Sequence, residues 1–477
     1  MSSEWLDLIV DTRMDGMDAR KTGIPFFLLE QNSTLEVEWG DGTKSVLSPS
    51  NYTAESARAS EHEYAEPGKY CIRISVRGGH WEDVYITTLD CQDAEFETSK
   101  GFNAKTECVR LFKKTLIELP SPLPRIKGTL QFFSTNPSKY TNGIPLKDNL
   151  SFLFLHCHNL ARLADGLFQN CHSSICFSYL FYGCRSLECL PQNLFRGCTE
   201  ASAFTFCFFG CCRLKEIPEN LFLDVYKAKV FKGCFKDCSS LVSIPGNLFH
   251  STMEADLFSE CFQNCTSLTS IPENLFEKVP NATSFSRTFE NCESLKKIPP
   301  MLFDKCVNAT FFKATFAKTG IESIPEDLFS RCIYAYTFAY AFAWCPNLRE
   351  VPGGLFRKCK WADSFYACFY GCISLSSIGR EIFKNCIYVR TLNNCFFGCS
   401  SLMNIEIDIT SRCIENIRLM FESIEGSNRT ICVPRISSTA RLFYVKQKEL
   451  GIAVRERMFL WQTIQAMLNS FQGLLKR

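Results

Sequence analysis

The chain has 477 residues, which is enough for about two to four domains with buried cores. Its 52 basic and 50 acidic side chains give a formal net charge of +2, so no bulk field favours nucleic acid or an anionic membrane. Hydrophobic residues make up 46% and charged residues 21% of the sequence, which excludes intrinsic disorder. The 43 phenylalanines and 28 cysteines are excesses that a structural rule must explain.

The N-terminal segment alternates apolar and polar residues around two tight-turn signals. VEWGDGT at 37–43 contains a Gly-Asp-Gly turn, and HEYAEPGKYCIRI at 62–74 places a Pro-Gly turn before a strand. Trp39 is suited to a sandwich core. These stretches resemble a polycystic-kidney-disease (PKD) repeat, which implies an immunoglobulin-like β-sandwich over residues 1–97. Asp41 could bind calcium, but a turn-forming role is favoured.

The central part of the chain is an internal repeat. Its marker is the residue after Ile in an Ile-Pro step, which recurs every 27 residues with one step of 26. A fixed period of this length indicates a solenoid, in which each unit buries its apolar face against its neighbours. We predict about ten coils over residues 98–436, each with one short parallel strand and a brief helical or 3₁₀ segment. The marker residues are Ala164, Pro191, Pro218, Pro245, Pro272, Pro299, Pro325, Pro352, Gly379 and Glu406.

Fixed columns run through the repeat when the marker residue is counted as position zero. Position ten is alanine in seven successive repeats, and positions thirteen and seventeen are two phenylalanine ladders that explain most of the phenylalanine excess. Cysteine recurs at position twenty and at position sixteen, and at position sixteen Thr288, Thr315 and Ala341 replace it in three repeats. Because small residues replace them, we interpret these thiols as packing elements rather than zinc ligands.

The repeat unit FxxCxSLxxIPxxLF, for example FENCESLKKIPPMLF at 289–303, resembles the leucine-rich repeats of BspA-type surface proteins. NATSFSRTF at 281–289 also resembles repeats of bacterial surface lipoproteins in that group. The resemblance covers about residues 100–435 and implies a right-handed solenoid used for binding or adhesion, with no family catalytic residues. The start, MSSEWLDLIVDTRMDGMDARK, departs from surface members because it lacks the basic and apolar regions of a signal peptide. We therefore expect reduced thiols.

An irregular stretch interrupts the array near its beginning. The distance from Pro120 to Ala164 is 44 residues, which is one repeat of 27 plus 17 extra residues. Extra residues in a solenoid must loop out, and such loops often carry function. We predict an irregular insertion at about residues 120–150, which is either a functional loop or a junction between divergent repeats.

The C-terminal residues 437–477 are predicted to close the array. ICVPRISSTARLFYVKQKELG at 431–451 resembles the closing segment of such repeat proteins, which cover their last apolar face. Apolar residues then recur at three- and four-residue intervals and predict an amphipathic helix over roughly residues 454–476. The helix either docks on the end of the solenoid or serves a partner or an oligomer seam. Its candidate assembly residues are Trp461, Ile464, Leu468, Phe471 and Leu475.

Catalytic motifs are missing from the sequence, which has no GxSxG, GxxxxGK[ST] or HExxH and no GxGxxG after a strand. The only cluster of metal-ligand residue types lies in LHCHNL and QNCHSS, but its two cysteines fall in repeat columns that should point inward. We predict a protein that is not an enzyme, with no cofactor and no metal. The cluster comprises His156, Cys157, His158, Cys171 and His172.

An aromatic column is the best candidate for a binding site. Position nine is charged or polar in the earlier repeats and should face solvent, yet it is aromatic in three consecutive later ones. Exposed aromatics about 5 Å apart would form a surface for sugar rings or for apolar residues of a partner. Alternatively, they are accessory core or an interface to the C-terminal helix. The candidates are Tyr334, Trp361 and Tyr388, with Tyr336, Tyr340 and Trp344 and with Tyr366 and Tyr370 beside them.

The leading hypothesis is a non-enzymatic recognition, adhesion or structural protein that binds a protein or glycan on the solenoid face. Lacking a signal peptide, it could be made in the cytoplasm and delivered as a bacteriophage virion or tail appendage that attaches to the particle, or forms a homo-oligomer, through an end domain. The alternative is an intracellular protein-interaction scaffold of a bacterium or protist. Neither nucleic acid binding nor membrane insertion is expected.

Overall fold

The computed structural model describes residues 5–14, 20–29, 33–47, 60–87, 107–131, 144–402, 405–409, 420, 429–434 and 453–457. These residues belong to two compact units, Met1–Leu295 and Lys296–Arg477. Within the described ranges, helices are limited to α1 (Glu107–Thr115) and a 3₁₀ turn at Trp81–Asp83. The remaining structure consists of short strands, single bridges and turns.

The strands of the first unit are β1 (Trp5–Asp11), β2 (Lys21–Gly23), β3 (Phe26–Leu28), β4 (Thr34–Glu38), β5 (Lys44–Leu47), β6 (Glu61–Glu63), β7 (Lys69–Arg77), β8 (Tyr85–Thr87), β9 (Leu116–Leu119), β10 (Gly128–Gln131), β11 (Ile144–Lys147) and β12 (Arg162–Leu163). Those of the second unit are β13 (Glu350–Val351), β14 (Ser377–Ile378), β15 (Ile405–Asp408), β16 (Arg429–Pro434) and β17 (Ala453–Arg457). The last three form a parallel sheet in the order β15-β16-β17.

Two sheets organise the beginning of the first unit. One has the order β12-β9-β1-β7-β4-β5 and the other the order β11-β10-β8-β3, while β2 pairs with β6. Strands β9 and β12 follow the predicted boundary at residue 97, yet β9 pairs with β1, so one sheet includes strands from both sides of that boundary. Strands β10 and β11 lie in the predicted irregular insertion and pair antiparallel, because this stretch continues the second sheet beside β8.

The β4–β5 hairpin shows how the sequence shapes its turn. Gly40 has φ +86 and Gly42 has φ +87, the left-handed conformation that glycine adopts without strain. The Asp41 carboxylate accepts hydrogen bonds from the Thr43 amide at 2.9 Å and its hydroxyl at 2.6 Å, and lies 2.8 Å from His62 Nε2. Although partial burial opposes ionisation, the hydrogen bonds from Thr43 and His62 lower the pKa of Asp41 to about 2. Asp41 therefore forms the turn.

The repeats stack in both units through parallel bridges at position twelve. The bridges link Asn149, Cys176, Ala203, Val230, Leu257 and Ser284 in the first unit and Phe311, Thr337, Ser364 and Thr391 in the second. The predicted strand of each coil is thus mostly a single bridged residue. The predicted helical or 3₁₀ segment is wrong for residues 148–402, where turns take its place. The reason is that left-handed residues at positions fifteen and nineteen, such as Phe206 with φ 52 and Gly210 with φ 69, bend the backbone.

Alternate backbone amides tie each coil to the next. In one coil, the N–H groups of Phe204, Phe206, Phe208 and Gly210 each donate at 2.8 Å to a carbonyl of the following coil. The amides between them bond within their own coil, as Cys207 does to the carbonyl of Phe204 at 3.2 Å. Every second backbone amide therefore donates a hydrogen bond to the next coil, as in a parallel β-ladder.

Phenylalanine rings fill the core of the coils in register. Phe204 stacks on Phe231 at 5.5 Å and Phe208 on Phe235 at 5.3 Å between ring centroids, along positions thirteen and seventeen. A third ladder runs along position four, where Phe222 meets Phe204 edge to face at 4.9 Å. Offset-stacked and edge-to-face contacts are the arrangements that aromatic quadrupoles favour. The excess of phenylalanine is thus explained by three ladders rather than two.

The repeated cysteines pack inward and also donate hydrogen bonds. At position twenty, Cys238 Sγ lies 3.2 Å from the Phe208 carbonyl of the preceding coil, and Cys265 Sγ lies 3.2 Å from that of Phe235. Thr288 at position sixteen donates to a carbonyl of the preceding coil in the same way, at 3.0 Å. Position twenty therefore combines small size with a weak donor, and Thr288 does the same at position sixteen, where Ala341 is small but supplies no donor.

Candidate recognition surfaces

Positions eight and nine of each coil form a tight turn that places both side chains in solvent. In the second unit the amide of Ile333 donates to the carbonyl two residues earlier at 2.9 Å, and that of Ile387 does so at 3.1 Å. The following residue points inward, so that Ala362, for example, is fully buried. We name the exposed side chains of three successive turns the turn surface. It consists of Ile333, Tyr334, Lys360, Trp361, Ile387 and Tyr388.

The aromatic residues of the turn surface are exposed and partly stacked on each other. Tyr334 is 53% exposed, Trp361 49% and Tyr388 38%. The rings of Trp361 and Tyr388 are parallel, with centroids 4.6 Å apart and an interplanar angle of 1°. Lys360 Nζ lies 5.8 Å from the Trp361 ring centroid. The stack therefore covers one face of each ring and leaves the edges and the other face of each ring outside it.

Position eleven adds polar groups to the same side of the chain as position nine, because the alanine between them is buried. Arg390 Nε donates to Asp363, and Arg390 Nη2 donates to the Tyr336 hydroxyl at 3.0 Å. The hydrogen bond that Arg390 donates to Asp363 raises the pKa of Arg390, so the guanidinium is permanently charged. Tyr336, predicted as part of the aromatic surface, is therefore held by a guanidinium.

Two features of this side of the second unit were not predicted from the sequence. The first is the exposed apolar column at position eight, where Ile333 is 45% and Ile387 38% exposed. The signal for it was an apolar residue immediately before position nine, outside the inward-facing columns. The second is the pair Asp363 and Arg390, which no single repeat reveals because its members come from successive coils.

Positions nine and eleven carry charges in coils of the first unit, although position eight there also holds exposed apolar residues such as Tyr226 and Met253. Lys227 pairs with Glu200 at 2.6 Å, both at position nine, and Lys229 pairs with Glu254 at 3.3 Å. The coil therefore also forms when these positions hold exposed ion pairs instead of aromatic residues. Such ion pairs contribute little to stability. The aromatic residues at these positions in the second unit are not required by the backbone.

The other predicted aromatic residues form a separate surface of the second unit, which we name the aromatic cluster. It consists of Tyr340, Trp344, Tyr366, Tyr370 and Phe397. Trp344 is 41% exposed and lies parallel to Tyr340 at 5.8 Å between centroids. In the described part of the unit, no ring contact joins this cluster to Trp361 or Tyr388. The predicted set of aromatic residues is thus divided between two surfaces.

Two members of the aromatic cluster occupy unfavourable backbone conformations. Tyr340 has φ 59 and Trp344 has φ 56, although left-handed backbone costs a residue with a Cβ about 1–2 kcal/mol. Most other coils place Gly, Asn or Asp at the position of Trp344, for example Asn264 and Gly371. More than half of the Trp344 surface is buried and its ring contacts Tyr340 and Tyr370, which offsets part of this cost.

The histidine and cysteine cluster does not assemble into a metal site. Cys157 and Cys171 are buried, while His158 Nδ1 lies 2.8 Å from the Gly183 carbonyl and His172 Nδ1 lies 3.1 Å from that of Gly197. Burial lowers the pKa of His156 to about 4. Throughout the described ranges, no three or more metal-ligating side chains converge.

The predicted C-terminal helix is only partly covered by the structure. Residues 454–457, assigned to its first turn from the sequence, lie instead in strand β17, because they pair with β16 in the terminal sheet. The candidate assembly residues Trp461, Ile464, Leu468, Phe471 and Leu475 lie outside the described residues.

Comparisons with known proteins do not test the resemblance to BspA-type repeats and PKD domains, which stays a prediction. No protein-family model matches this sequence, and no curated protein is significantly similar to it. Among the described residues, none of the helices has the length and apolar character needed to cross a bilayer.

Proposed function

We propose that this chain is a non-enzymatic recognition protein, in which a leucine-rich-type solenoid presents the turn surface to a partner protein. The observation that carries the proposal is the exposed parallel pair of Trp361 and Tyr388, whose ring centroids are 4.6 Å apart. Trp, Tyr and Arg are the residue types most often found at the energetic centre of protein interfaces. Tyr334, one coil before Trp361, and Arg390, two residues after Tyr388, add two more residues of these types.

A protein partner suits this geometry better than a sugar does. A sugar ring would use only the single outer face that the Trp361–Tyr388 stack leaves on a ring. The exposed apolar side chains of Ile333 and Ile387 belong to the same surface, and apolar groups of a protein could cover them together with the two rings. The first unit supports the assignment, since its charged turns show that the coil does not need these aromatics.

The setting in which recognition takes place is also a proposal. We infer that the protein is made in the cytoplasm and carried to its partner on a bacteriophage virion or tail appendage, with an intracellular protein-interaction scaffold as the alternative. The 20 buried free thiols among the described residues support both settings, since reducing compartments keep such thiols free.

The test compares three forms of the full-length protein in affinity capture from candidate host extracts. These are the wild type, the triple variant Tyr334→Ala/Trp361→Ala/Tyr388→Ala and the control Glu200→Ala/Lys227→Ala, which alters position nine in the first unit. We expect the wild type and the control to retain the same protein and the triple variant to lose it. Titration of the purified captured protein should then show at least a 100-fold weaker Kd for the triple variant.

Thermal unfolding of the wild type and the triple variant shows whether the substitutions affect folding as well as binding. The three aromatic side chains are exposed, so the triple variant should melt within a few degrees of the wild type. Equal affinity of the wild type and the triple variant for the purified partner would refute the assignment of the turn surface.

A further inference from the structure

The turn surface repeats at a regular interval along the second unit. Parallel bridges join Thr337, Ser364 and Thr391, so successive coils lie at about the 4.8 Å spacing of neighbouring β-strands. In the core of the same coils, the ring centroids of Phe338 and Phe365 are 5.4 Å apart. The turn surface therefore presents one exposed aromatic side chain about every 5 Å over three coils.

An α-helix has a period that matches this interval. Its pitch is about 5.4 Å, so apolar residues at i, i+4 and i+7 recur once per turn along one side of the helix. A helix lying along the stacking direction of the coils would stay in step with three coils to within about 1 Å. An extended strand places the side chains of one face about 6.6 Å apart and would be out of step by about 3 Å over the same distance.

The backbone of the turns also favours a helix over an added strand. The amides of Ile333, Lys360 and Ile387 donate at 2.9, 3.0 and 3.1 Å to the carbonyl two residues earlier. An added strand needs unpaired amides and carbonyls at a sheet edge, and these three amides are already bonded. A helix satisfies its own backbone and contacts its partner through side chains.

The charges around the turn surface have one sign. In the coils of residues 299–405, positions six, eight and nine hold four cations and no carboxylate. The first unit carries both signs at these positions, for example Lys227 and Glu254, so the coil itself does not require cations there. The four cations of the second unit are Lys305, Arg331, Lys358 and Lys360.

Two of these cations lack an acidic partner in the part of the chain that the structure describes. Asp304 pairs with both Lys305 and Arg331, at 2.9 and 3.5 Å. Lys358 and Lys360 are exposed on one turn, and neither forms an ion pair with a described residue. Lys360 directly precedes the exposed tryptophan of the turn surface. A binding element with carboxylates beside its apolar residues would therefore complement this turn in charge.

We propose that the part of the partner that binds the turn surface is an acidic amphipathic helix. Its axis lies along the stacking direction of the coils, and its apolar residues, one per turn, pack against Tyr334, Trp361 and Tyr388. Its carboxylates pair with Lys358 and Lys360. This inference rests on the proposed function, because it needs the turn surface to be the binding site, and it adds the conformation and charge of the bound element.

The test uses a yeast-displayed library of random linear peptides of about 18 residues, which is five helical turns. The library is selected separately on the full-length wild type and on the triple variant Tyr334→Ala/Trp361→Ala/Tyr388→Ala. We expect peptides enriched only on the wild type to carry more acidic than basic residues, with apolar residues at i, i+4 and i+7. Neutral or basic peptides, apolar residues in strict alternation, or no enriched peptide would each overturn the inference.

Titrations of the enriched peptides test charge and conformation separately. Lys358→Glu/Lys360→Glu should weaken binding at least about 5-fold at about 0.15 M salt. The matched control Lys296→Glu/Lys297→Glu gives the same unit the same change in net charge at exposed positions of an earlier coil, and should bind like the wild type. A central proline in the peptide should weaken binding about 100-fold, because proline breaks a helix. Unchanged affinity in the first or the last case would contradict the inference.

The outcomes distinguish this inference from the proposed function. Enrichment of the same peptides on the wild type and the triple variant would place the peptide site elsewhere and contradict both. Peptides that are lost from the triple variant but tolerate Lys358→Glu/Lys360→Glu would overturn only the inference, since the turn surface would still be the binding site. If no peptide is enriched, the inference fails and the capture experiment alone decides the proposed function.

Discussion

At the scale of single residues, left-handed backbone decides which side chains the coils accommodate without strain. Positions fifteen and nineteen are left-handed from coil to coil, and they hold residues as different as Gly233, Glu260 and Tyr340. Glycine adopts this conformation freely, whereas each residue with a Cβ adds an unfavourable contribution. The sequence of a coil is therefore a compromise between backbone strain and what the side chain contacts.

The two glycines of the β4–β5 hairpin allow strain and contact to be measured separately. Both are left-handed, but a Cβ at Gly40 would lie 2.5 Å from the Cys71 carbonyl oxygen, whereas a Cβ at Gly42 would have nothing within 4 Å. We expect Gly42→Ala to lower the free energy of unfolding by about 1–2 kcal/mol. Gly40→Ala should cost at least about 1 kcal/mol more, because the clashing atom belongs to backbone. Equal losses in denaturant titrations of the two variants would contradict this account.

The same hairpin predicts a pH dependence. The pKa of Asp41 is lowered to about 2, below the value of about 3.9 in an unfolded chain. Its ionised form therefore stabilises the fold above pH 3.9, and that contribution disappears as the pH falls towards 2. Asp41→Asn keeps an acceptor for Thr43 but removes the charge beside His62. We expect it to be less stable than the wild type by about 1 kcal/mol at pH 5 and equally stable near pH 2. A stability difference that is constant over this range would exclude Asp41 as the source.

At the scale of elements, successive coils are joined by backbone amides, ring stacks and side-chain donors. Each side-chain donor adds a second hydrogen bond to a carbonyl of the phenylalanine-lined core; the Phe369 carbonyl, for example, already accepts one from the Cys372 amide at 3.4 Å. In the second unit Cys372 Sγ lies 3.1 Å from the Phe342 carbonyl and Cys399 Sγ lies 3.1 Å from that of Phe369. A thiol is small enough for the core and still supplies a weak donor.

Thr288 tests whether the donor or the volume is what the coil needs. Its hydroxyl donates to the Phe258 carbonyl at 3.0 Å, and the residue is fully buried. Thr288→Val keeps the volume and removes the donor, while the Phe258 carbonyl keeps its bond from the Cys261 amide at 3.1 Å, so we expect a loss of about 1 kcal/mol in the free energy of unfolding. Thr288→Ser keeps the donor and removes one methyl group, which should also cost about 1 kcal/mol. A loss in Thr288→Ser alone, measured by chemical denaturation, would show that packing alone governs the position.

At the scale of the whole molecule, the two units share one coil geometry and differ in what they present to solvent. The first unit carries ion pairs at position nine, such as Lys227 with Glu200, and the second carries Trp361 and Tyr388. Stability is therefore distributed over both units, whereas the recognition surface proposed above belongs to the second.

The distribution of thiols gives a prediction for the entire chain. Of the 24 described free cysteines, 20 are buried, and burial raises the pKa of Cys157 and Cys171 to about 12. Buried neutral thiols are poor nucleophiles. We expect at least 20 of the 28 thiols to resist a thiol reagent at pH 8 in the native protein and all 28 to react in guanidinium without reductant. Fewer reactive thiols in guanidinium would reveal disulfides and contradict the reduced core.

The sequence by itself determined the period of the coils and which columns face inward. Ala362 at position ten and Phe204 at position thirteen are fully buried, as their regular spacing predicted, because each coil repeats the same environment. The sequence also predicted the exposure of position nine, since charged residues occupy that column in other coils.

Only the tertiary structure decided how those residues are used. A periodic pattern distinguishes buried from exposed positions, but backbone conformation and contacts between coils depend on residues far apart in sequence. The left-handed backbone of Trp344, the pairing of Arg390 with Asp363 and the Trp361–Tyr388 stack all arise from neighbouring coils. For the same reason, the tertiary structure separated into two surfaces the aromatic residues that the sequence had grouped as one.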